Sequence, residues 1–363
     1  PPPMTTPIDL RSDTVTKPSQ QMREAMAQAD VDDDVIDIDP TVARLQKKIA
    51  ELTGKEAALF VPSGTMSNQI GLRIHCRSGD EFICESQCHI YSYEQGAYAS
   101  LSGLAVQLLP GDDGVLDPAQ FIGTIKADNE HFCRTKLVCL ENTHNRGGGR
   151  ILPYDGVAEI CNWAHDNGLA THLDGARLFN AVAASGIPAA QWAQHFDTVS
   201  ICFSKGLGAP VGSALCGTTE MIAFARRHRK MFGGGMRQAG IIAAGALFAL
   251  EHNLEQLQTD NQNAQQLAQT IRETEGLQLA GDRADTNIVM FDVSSRVGSP
   301  SALVAELESQ NVRCLALGPT RVRMVTHLDV SNTQITQACE ILNHLVTNAL
   351  TNDRKLTGSG AQY

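Results

Sequence analysis

The sequence predicts an α/β chain, with a large domain on a mainly parallel sheet between helices and a smaller C-terminal α+β domain. Three observations carry this. Short apolar runs alternate with helical stretches from Ala57 to Phe203, the pattern of repeated βα units. An Ala-rich helical run, Gln238 to Glu251, leads away from them. Beyond it, helices and short strands mix without that alternation. With 363 residues the chain is too long for one small module and can bury a sizeable core.

In chain order, Pro1 to Pro3 precede Met4 and are set aside as a remnant foreign to the fold. An extended arm, Ile8 to Pro18, leads to a short amphipathic helix over Gln20 to Ala29, and an acidic loop runs from Asp30 to Asp39. Thr41 to Leu52 reads as a helix because Val42, Leu45 and Ile49 recur at helical spacing and Gly54 stops it. Ala57 to Val61 is a short strand, Ser63 to Thr65 a small-residue turn, and Met66 to Arg77 a helix. Glu81 to Cys84, Val106 to Leu109 and Leu137 to Leu140 are strand candidates. The strand Leu169 to Leu173 stops at Asp174, and Thr198 to Phe203 stops at Ser204 and Lys205. The later helices are Glu255 to Glu273, Ser301 to Gln310 and Gln334 to Asn348, with strands near Ile288 to Phe291 and Val322 to Val325. The expected division is an arm over 1–25, a large domain over 26–251, a small domain over 252–351 and a polar, disordered tail over 352–363.

A net charge of -11 with no basic tract argues against nucleic acid or an anionic membrane surface as partner. No run of 18 apolar residues and no charged-then-apolar leader occur, so a cytoplasmic protein is expected. The ten cysteines are scattered, and Cys139, Cys202 and Cys216 sit inside apolar runs, which reads as buried thiols. Cys84, Cys88 and His89 have a spacing a metal could use. No second ligand pair follows at finger-like distance, so no metal is expected.

In an open α/β sheet, functional groups collect beyond the carboxyl ends of the strands. Three segments place reactive groups there. Lys205, in Ser-Ile-Cys-Phe-Ser-Lys-Gly-Leu-Gly, has no carboxylate close in sequence. Burial there would favour the neutral amine that condenses with an aldehyde, although a surface lysine at a strand end reads equally well. Asp174, 31 positions earlier, ends its strand in Thr-His-Leu-Asp-Gly-Ala-Arg. It suits a carboxylate on a pyridine nitrogen and, equally, a helix N-cap. Pro-Ser-Gly-Thr-Met-Ser-Asn (62–68) makes a small-residue turn into a helix, a phosphate cradle in which Thr65 adds a hydroxyl. It matches neither a Walker A motif nor G-x-G-x-x-G, which counts against ATP and dinucleotides. The order is phosphate turn, acid, lysine.

That order and six further blocks resemble the L-threonine aldolase family. The blocks are Asp-Leu-Arg-Ser-Asp-Thr-Val-Thr-Lys-Pro (9–18), Glu-Asn-Thr-His-Asn (141–145), His-Leu-Asp-Gly-Ala-Arg-Leu-Phe-Asn-Ala (172–181), Ser-Lys-Gly-Leu-Gly-Ala-Pro-Val-Gly-Ser (204–213), Gly-Gly-Gly-Met-Arg-Gln-Ala-Gly (233–240) and Val-Thr-His-Leu-Asp (325–329). The resemblance implies the aspartate-aminotransferase-like type I fold with a seven-stranded sheet and pyridoxal 5'-phosphate (PLP) as cofactor. It also implies cleavage of β-hydroxy-α-amino acids such as L-threonine and L-allo-threonine to glycine and an aldehyde.

Carried over position by position, the resemblance gives each residue a role. Lys205 would hold PLP as a Schiff base, Asp174 would pair with the ring nitrogen, and Gly64 and Thr65 would hold the phosphate. His89 would stack on the ring. Ser12, Arg177 and Arg323 would bind the substrate carboxylate, Arg177 also lying against the cofactor, and Tyr93 would contact the substrate. Arg237 would reach the phosphate of a neighbouring subunit, which implies a homo-oligomer: a dimer with shared sites, assembled into a tetramer. His89 is the first candidate for the base that takes the β-hydroxyl proton, directly or through a water, and His131 the second.

One stretch departs from the family. Residues 32–40 read Asp-Asp-Asp-Val-Ile-Asp-Ile-Asp-Pro, where the family has a Gly-Asp-Asp-x-Tyr-Gly-Glu-Asp-Pro type of loop, so Ile36 stands in place of a tyrosine. The expectations are either unchanged chemistry or a more apolar entrance favouring bulky β-substituents such as phenylserine's. Two rival functions remain: another PLP reaction on this scaffold, β-elimination or racemisation, and a non-catalytic scaffold protein. Lys205, Asp174 and Arg323 together count against the second.

Overall fold

The structure, a computed structural model, describes residues 7–362, so the Pro1–Pro3 reading lies outside it. The chain divides into two compact units. Lys17–Leu254 forms the larger, and the described residues up to Thr16 join those from Glu255 onward in the smaller.

In the larger unit seven strands lie in the order Ala57–Val61, Ser213–Gly217, Thr198–Cys202, Ala170–Asp174, Thr135–Glu141, Glu81–Glu85, Ala105–Leu109. All run parallel except Ser213–Gly217, which is antiparallel to both neighbours. Its interior strands are buried on both faces, so they read as continuous apolar runs rather than alternating ones. Helices cover the sheet, including Gly64–His75, while the apolar Gly240–His252 packs against the helices Gln20–Ala27 and Pro40–Thr53. The helix Pro40–Thr53 shows why local sequence suffices at its ends. The Asp39 side chain accepts from the Thr41 and Val42 N–H groups, Pro40 opens it, and Gly54 closes it at φ 64°. A side chain at Gly54 would be strained by that left-handed backbone and would also meet Ala190 at 3.1 Å.

The smaller unit is built on a four-stranded antiparallel sheet, Leu315–Leu317, Arg321–Val325, Ile288–Val293, Leu277–Leu279. The helices Gln256–Glu273, Pro300–Ser309 and Asn332–Thr351 pack an apolar core with it. The arm belongs to this unit: Ile8–Asp9 pairs in parallel with Val312–Arg313, and Leu10 accepts from the Val325 N–H. The polar tail expected to be disordered is in register here. Leu356 N–H donates to Val297, Gly360 N–H to Ser301, and Ala316 N–H to Ala361, so backbone pairing orders a segment whose side chains carry no such signal. Among the described residues no helix is long and apolar enough to cross a membrane.

Candidate active site

The carboxyl ends of the parallel strands open on one cavity. Lys205, Asp174, His89, Gly64 and Thr65, all singled out in the sequence, line it together.

At one end lies the start of the helix Gly64–His75. Ser63 caps it, its Oγ accepting from Met66 N–H at 3.2 Å. The first N–H groups of any helix lack an intrahelical acceptor, and the helix dipole is positive there, so this end favours an anion. Gly64 is required by close approach: a Cβ there would sit 2.6 Å from Cys202 Sγ.

Asp174 supplies the opposite charge and is almost wholly buried. One carboxylate oxygen accepts from Ala176 N–H at 3.1 Å, the other from Asn68 Nδ2 at 2.9 Å. Burial alone would push the carboxyl up. His89 and Lys205 nearby, then the Asn68 and Ala176 bonds, hold it below the usual carboxylate range. The N-cap reading of Asp174 falls, because the next helix starts at Leu178 with Arg177 as its cap residue.

His89 lines the same cavity from a short helix, His89–Ser92. Its backbone N–H donates to Glu141 Oε2 at 2.5 Å, and Glu141 Oε1 takes Asn145 N–H at 2.8 Å. The Glu-Asn-Thr-His-Asn block thus anchors the histidine. Its Nδ1 faces Glu94 Oε1 at 2.9 Å. Glu94 also accepts from Asn68 Nδ2 at 2.9 Å and Gln69 Nε2 at 2.6 Å. Burial lowers the affinity of His89 for a proton, but the Glu94 bond and the charges of Asp174, Glu94 and Glu141 outweigh it and raise its pKa. Sequence reasoning missed Glu94 and Asn68. The only signals were an acid five residues after His89 and an amide in the first turn after the phosphate segment.

The remaining predicted residues are not among those that line the cavity. Tyr93 places its ring 5.7 Å from that of His89, with the Arg146 guanidinium 6.0 Å from the Tyr93 ring centre. Arg177 is buried beside Ala176, which does line the cavity. Arg237 pairs with Asp33, its Nη1 3.0 and 3.2 Å from the two carboxylate oxygens. His131 has a side chain 78% exposed and does not line the cavity. Ser12 and Arg323 belong to the smaller unit. There Ser12 Oγ takes Thr14 N–H and Oγ1–H, and Arg323 is buried on the strand Arg321–Val325. Cys84 and Cys88 are buried thiols. The group of ligand-type atoms that the described residues bring within 4.8 Å is instead His89, Glu94 and Asp174.

A helix start that favours an anion and the buried Asp174 carboxylate, both lining the cavity, suit a dipolar guest with a phosphate and a cationic ring nitrogen. A lysine for its aldehyde stands in the same cavity. The donor set therefore fits PLP.

A family profile described as beta-eliminating lyase matches residues 9–296. The low specificity L-threonine aldolase of Escherichia coli K12 is 45% identical over 331 residues, covering 91% of this chain and 96% of that protein. A probable low-specificity L-threonine aldolase 2 of Arabidopsis thaliana is 43% identical, covering 90% of this chain and 94% of its own length. The chain belongs to the beta-eliminating lyase family, in its L-threonine aldolase group. Threonine aldolase from Leishmania major superposes with a TM-score of 0.81 at 22% identity, over 94% of this chain and all of that one. The fold is therefore the type I fold of PLP enzymes, as the order of turn, acid and lysine predicts. Enzymes of this family use PLP, and the residues that would hold it here are those just placed in one cavity.

Proposed function

We propose that this chain is a PLP-dependent aldolase that cleaves the Cα–Cβ bond of L-threonine, L-allo-threonine and related β-hydroxy-α-amino acids, giving glycine and an aldehyde. The observation that carries the reading is the single cavity holding Lys205, Asp174 and the start of the helix Gly64–His75, in a chain 45% identical to an aldolase of that kind. PLP, when bound, supplies an electron sink for the pair left on Cα when a bond there breaks.

The chain's own residues do the rest. The Lys205 amine is the group that would carry the cofactor's carbonyl carbon. The Asp174 carboxylate would hold positive charge at the ring nitrogen, and the Gly64 and Thr65 N–H groups would hold the phosphate. Glu94, which can only accept, keeps the His89 proton on Nδ1 and leaves Nε2 as the acceptor for the substrate's β-hydroxyl proton or for a water serving it. This geometry favours His89 over the exposed His131 as the base. The resemblance supports a carboxylate-binding role for Ser12, Arg177 and Arg323 and a substrate contact for Tyr93. It also supports a site shared between subunits through Arg237, in a dimer or tetramer that works in the cytoplasm.

Ile36 is 80% exposed on a loop held by Arg226, which donates to the carbonyls of Asp34 and Asp37. An apolar side chain presented this way supports acceptance of bulky β-substituents. Equal threonine-to-phenylserine ratios in the parent and Ile36→Tyr would remove that refinement.

The test is to load the protein with PLP, record its visible spectrum, and add L-threonine, L-allo-threonine and phenylserine in turn. A lysine-dependent visible band, absent in Lys205→Ala, with equimolar glycine and aldehyde is the expected result. Pyruvate and ammonia would mean elimination, the opposite enantiomer racemisation. No band at all would overturn the assignment.

A further inference from the structure

Behind the cavity a file of buried polar side chains runs across the larger unit. His75 Nε2 lies 2.9 Å from Thr198 Oγ1, Thr198 Oγ1 2.9 Å from His172 Nδ1, and His172 Nε2 3.1 Å from Asn68 Oδ1. Asn68 Nδ2 then reaches Asp174 Oδ2 at 2.9 Å and Glu94 Oε1 at 2.9 Å. His172 and Thr198 have no solvent exposure, and Asn68 almost none.

The direction of every bond in the file follows from its last member. Both Asn68 amide hydrogens point at carboxylates, so its Oδ1 must accept, and His172 Nε2 must carry the hydrogen. Burial, then the neighbouring His75, pushes the His172 pKa down to about 3, so the ring is neutral and Nδ1 accepts. Thr198 therefore donates its hydroxyl proton to His172 and accepts from His75 Nε2–H. His75, likewise neutral with a pKa lowered to about 4 by burial, completes the file. Every donor is aimed toward Asp174.

The packing shows that the imidazole is accommodated at a cost. Gly71 sits inside the helix Gly64–His75, where glycine is less favourable than alanine because it gives up more backbone freedom. A Cβ at Gly71 would lie 2.6 Å from His172 Cε1. A helix-forming residue is given up there to leave room for this ring.

We propose that His172 is a positioning residue for the cofactor-binding carboxylate, holding the Asn68 amide with its N–H groups toward Asp174 and Glu94, while Thr198 and His75 hold His172 in the tautomer that does so. The proposal rests on the reading that Asp174 meets the ring nitrogen of PLP. Without His172 the Asn68 amide is free to turn its oxygen toward two carboxylates, and Asp174 loses a donor to its charged form. The titratable groups facing Asp174 are His89 and Lys205, with Glu94 across Asn68 and His144 within electrostatic range; His172 is faced by His75 and Asp174.

The test compares the PLP-loaded parent with His172→Phe, Thr198→Val and the double variant. One readout is the affinity for PLP; the other is the pH midpoint of the bound cofactor's visible band, which a loosened core alone would leave in place. The H172F variant is expected to bind PLP about tenfold more weakly, the loss of one bond to a charged group. Its midpoint is expected to rise by roughly half a pH unit or more, because Asp174 holds its charge less firmly. The T198V variant moves both in the same direction by less. The double variant matches H172F, because the two residues act in series. Parent values in either single variant, or additive changes in the double, overturn the proposal. Should H172F fail to fold, T198V decides alone. A parent protein with no band sinks the PLP assignment itself, which is a separate outcome.

Discussion

His89 Nδ1 lies 2.9 Å from an oxygen of Glu94, whose side chain is wholly shielded from solvent. With the Glu94 carboxylate as acceptor the ring proton sits on Nδ1, and the contact raises the histidine's pKa against the effect of its burial. In the proposed role of base His89 must be neutral, so activity should fail as pH drops through that raised value.

Replacing Glu94 by Gln tests the pairing. The amide keeps the shape but removes the charge, so the His89 pKa falls and the acid limb of the kcat/KM profile moves to lower pH. Because an amide can present either atom to Nδ1, kcat should also fall, by roughly tenfold, the scale of one charged hydrogen bond. A profile whose acid limb stays in place would mean that another group is the base.

A second prediction concerns the phosphate end. Gly64→Ala puts a Cβ 2.6 Å from Cys202 Sγ, so either the helix start or the cysteine must shift. Overpacking of this kind costs about 1–3 kcal/mol. Lower thermal stability and weaker PLP binding are expected. Adding Cys202→Ala removes the offending sulfur and should restore most of both. A double variant no better than G64A would place the strain elsewhere.

These two cases show what was legible in the sequence. Asp174 and Lys205 could be read because each ends an apolar strand abruptly, and the order of turn, acid and lysine needs no knowledge of packing. Glu94 could not be read. It lies in the polar stretch Tyr-Ser-Tyr-Glu-Gln-Gly, and only the turn at Gln95 and Gly96, both at positive φ, folds it beneath His89. The antiparallel strand Ser213–Gly217 was also missed, because five residues after a glycine-rich turn carry no sign of which neighbours they will join. The arm was expected to stand apart. Its pairing with Val312–Arg313 joins segments far apart in the chain, and no local pattern announces a partner so remote.

The loop that departs from the family is fixed from beneath by a buried ion pair. Asp34 Oδ2 lies 2.8 Å from Arg229 Nη2, both side chains nearly inaccessible, and Arg229 also donates to the Phe60 carbonyl at 2.8 Å. Burial pulls the arginine's pKa down and Asp34 opposes it. Asp34→Ala would leave a buried, uncompensated guanidinium, a change that costs about 3–5 kcal/mol. Urea unfolding should show that loss. Replacing both partners, as in Asp34→Ala with Arg229→Met, should recover much of it. Equal stability for the single variant would show that water or another acceptor reaches Arg229.

The smaller unit offers a test of pH-dependent stability. Asp260 has no solvent exposure; one carboxyl oxygen accepts from Gln256 Nε2 at 3.1 Å and the other has no hydrogen-bond partner among the described residues. Its pKa is pushed up to about 7, foremost by burial, with Asp13 and Asp329 adding and Gln256 opposing. In the unfolded chain it titrates near the ordinary value, about 3.9. Below that pH both states hold the proton and the group contributes nothing. As pH rises from there toward 7 the unfolded chain releases its proton while the folded chain retains it, so folding loses stability across this window. A tenfold difference in proton affinity between the two states is worth ~1.4 kcal/mol, so the loss amounts to a few kcal/mol at most. Asp260→Asn cannot titrate. Urea midpoints of the two proteins, compared at acidic and at slightly alkaline pH, should diverge in favour of the variant as pH rises. Two stability curves that stay parallel across the window would mean that Asp260 is ionised in the folded protein, with a cation or water on its second oxygen.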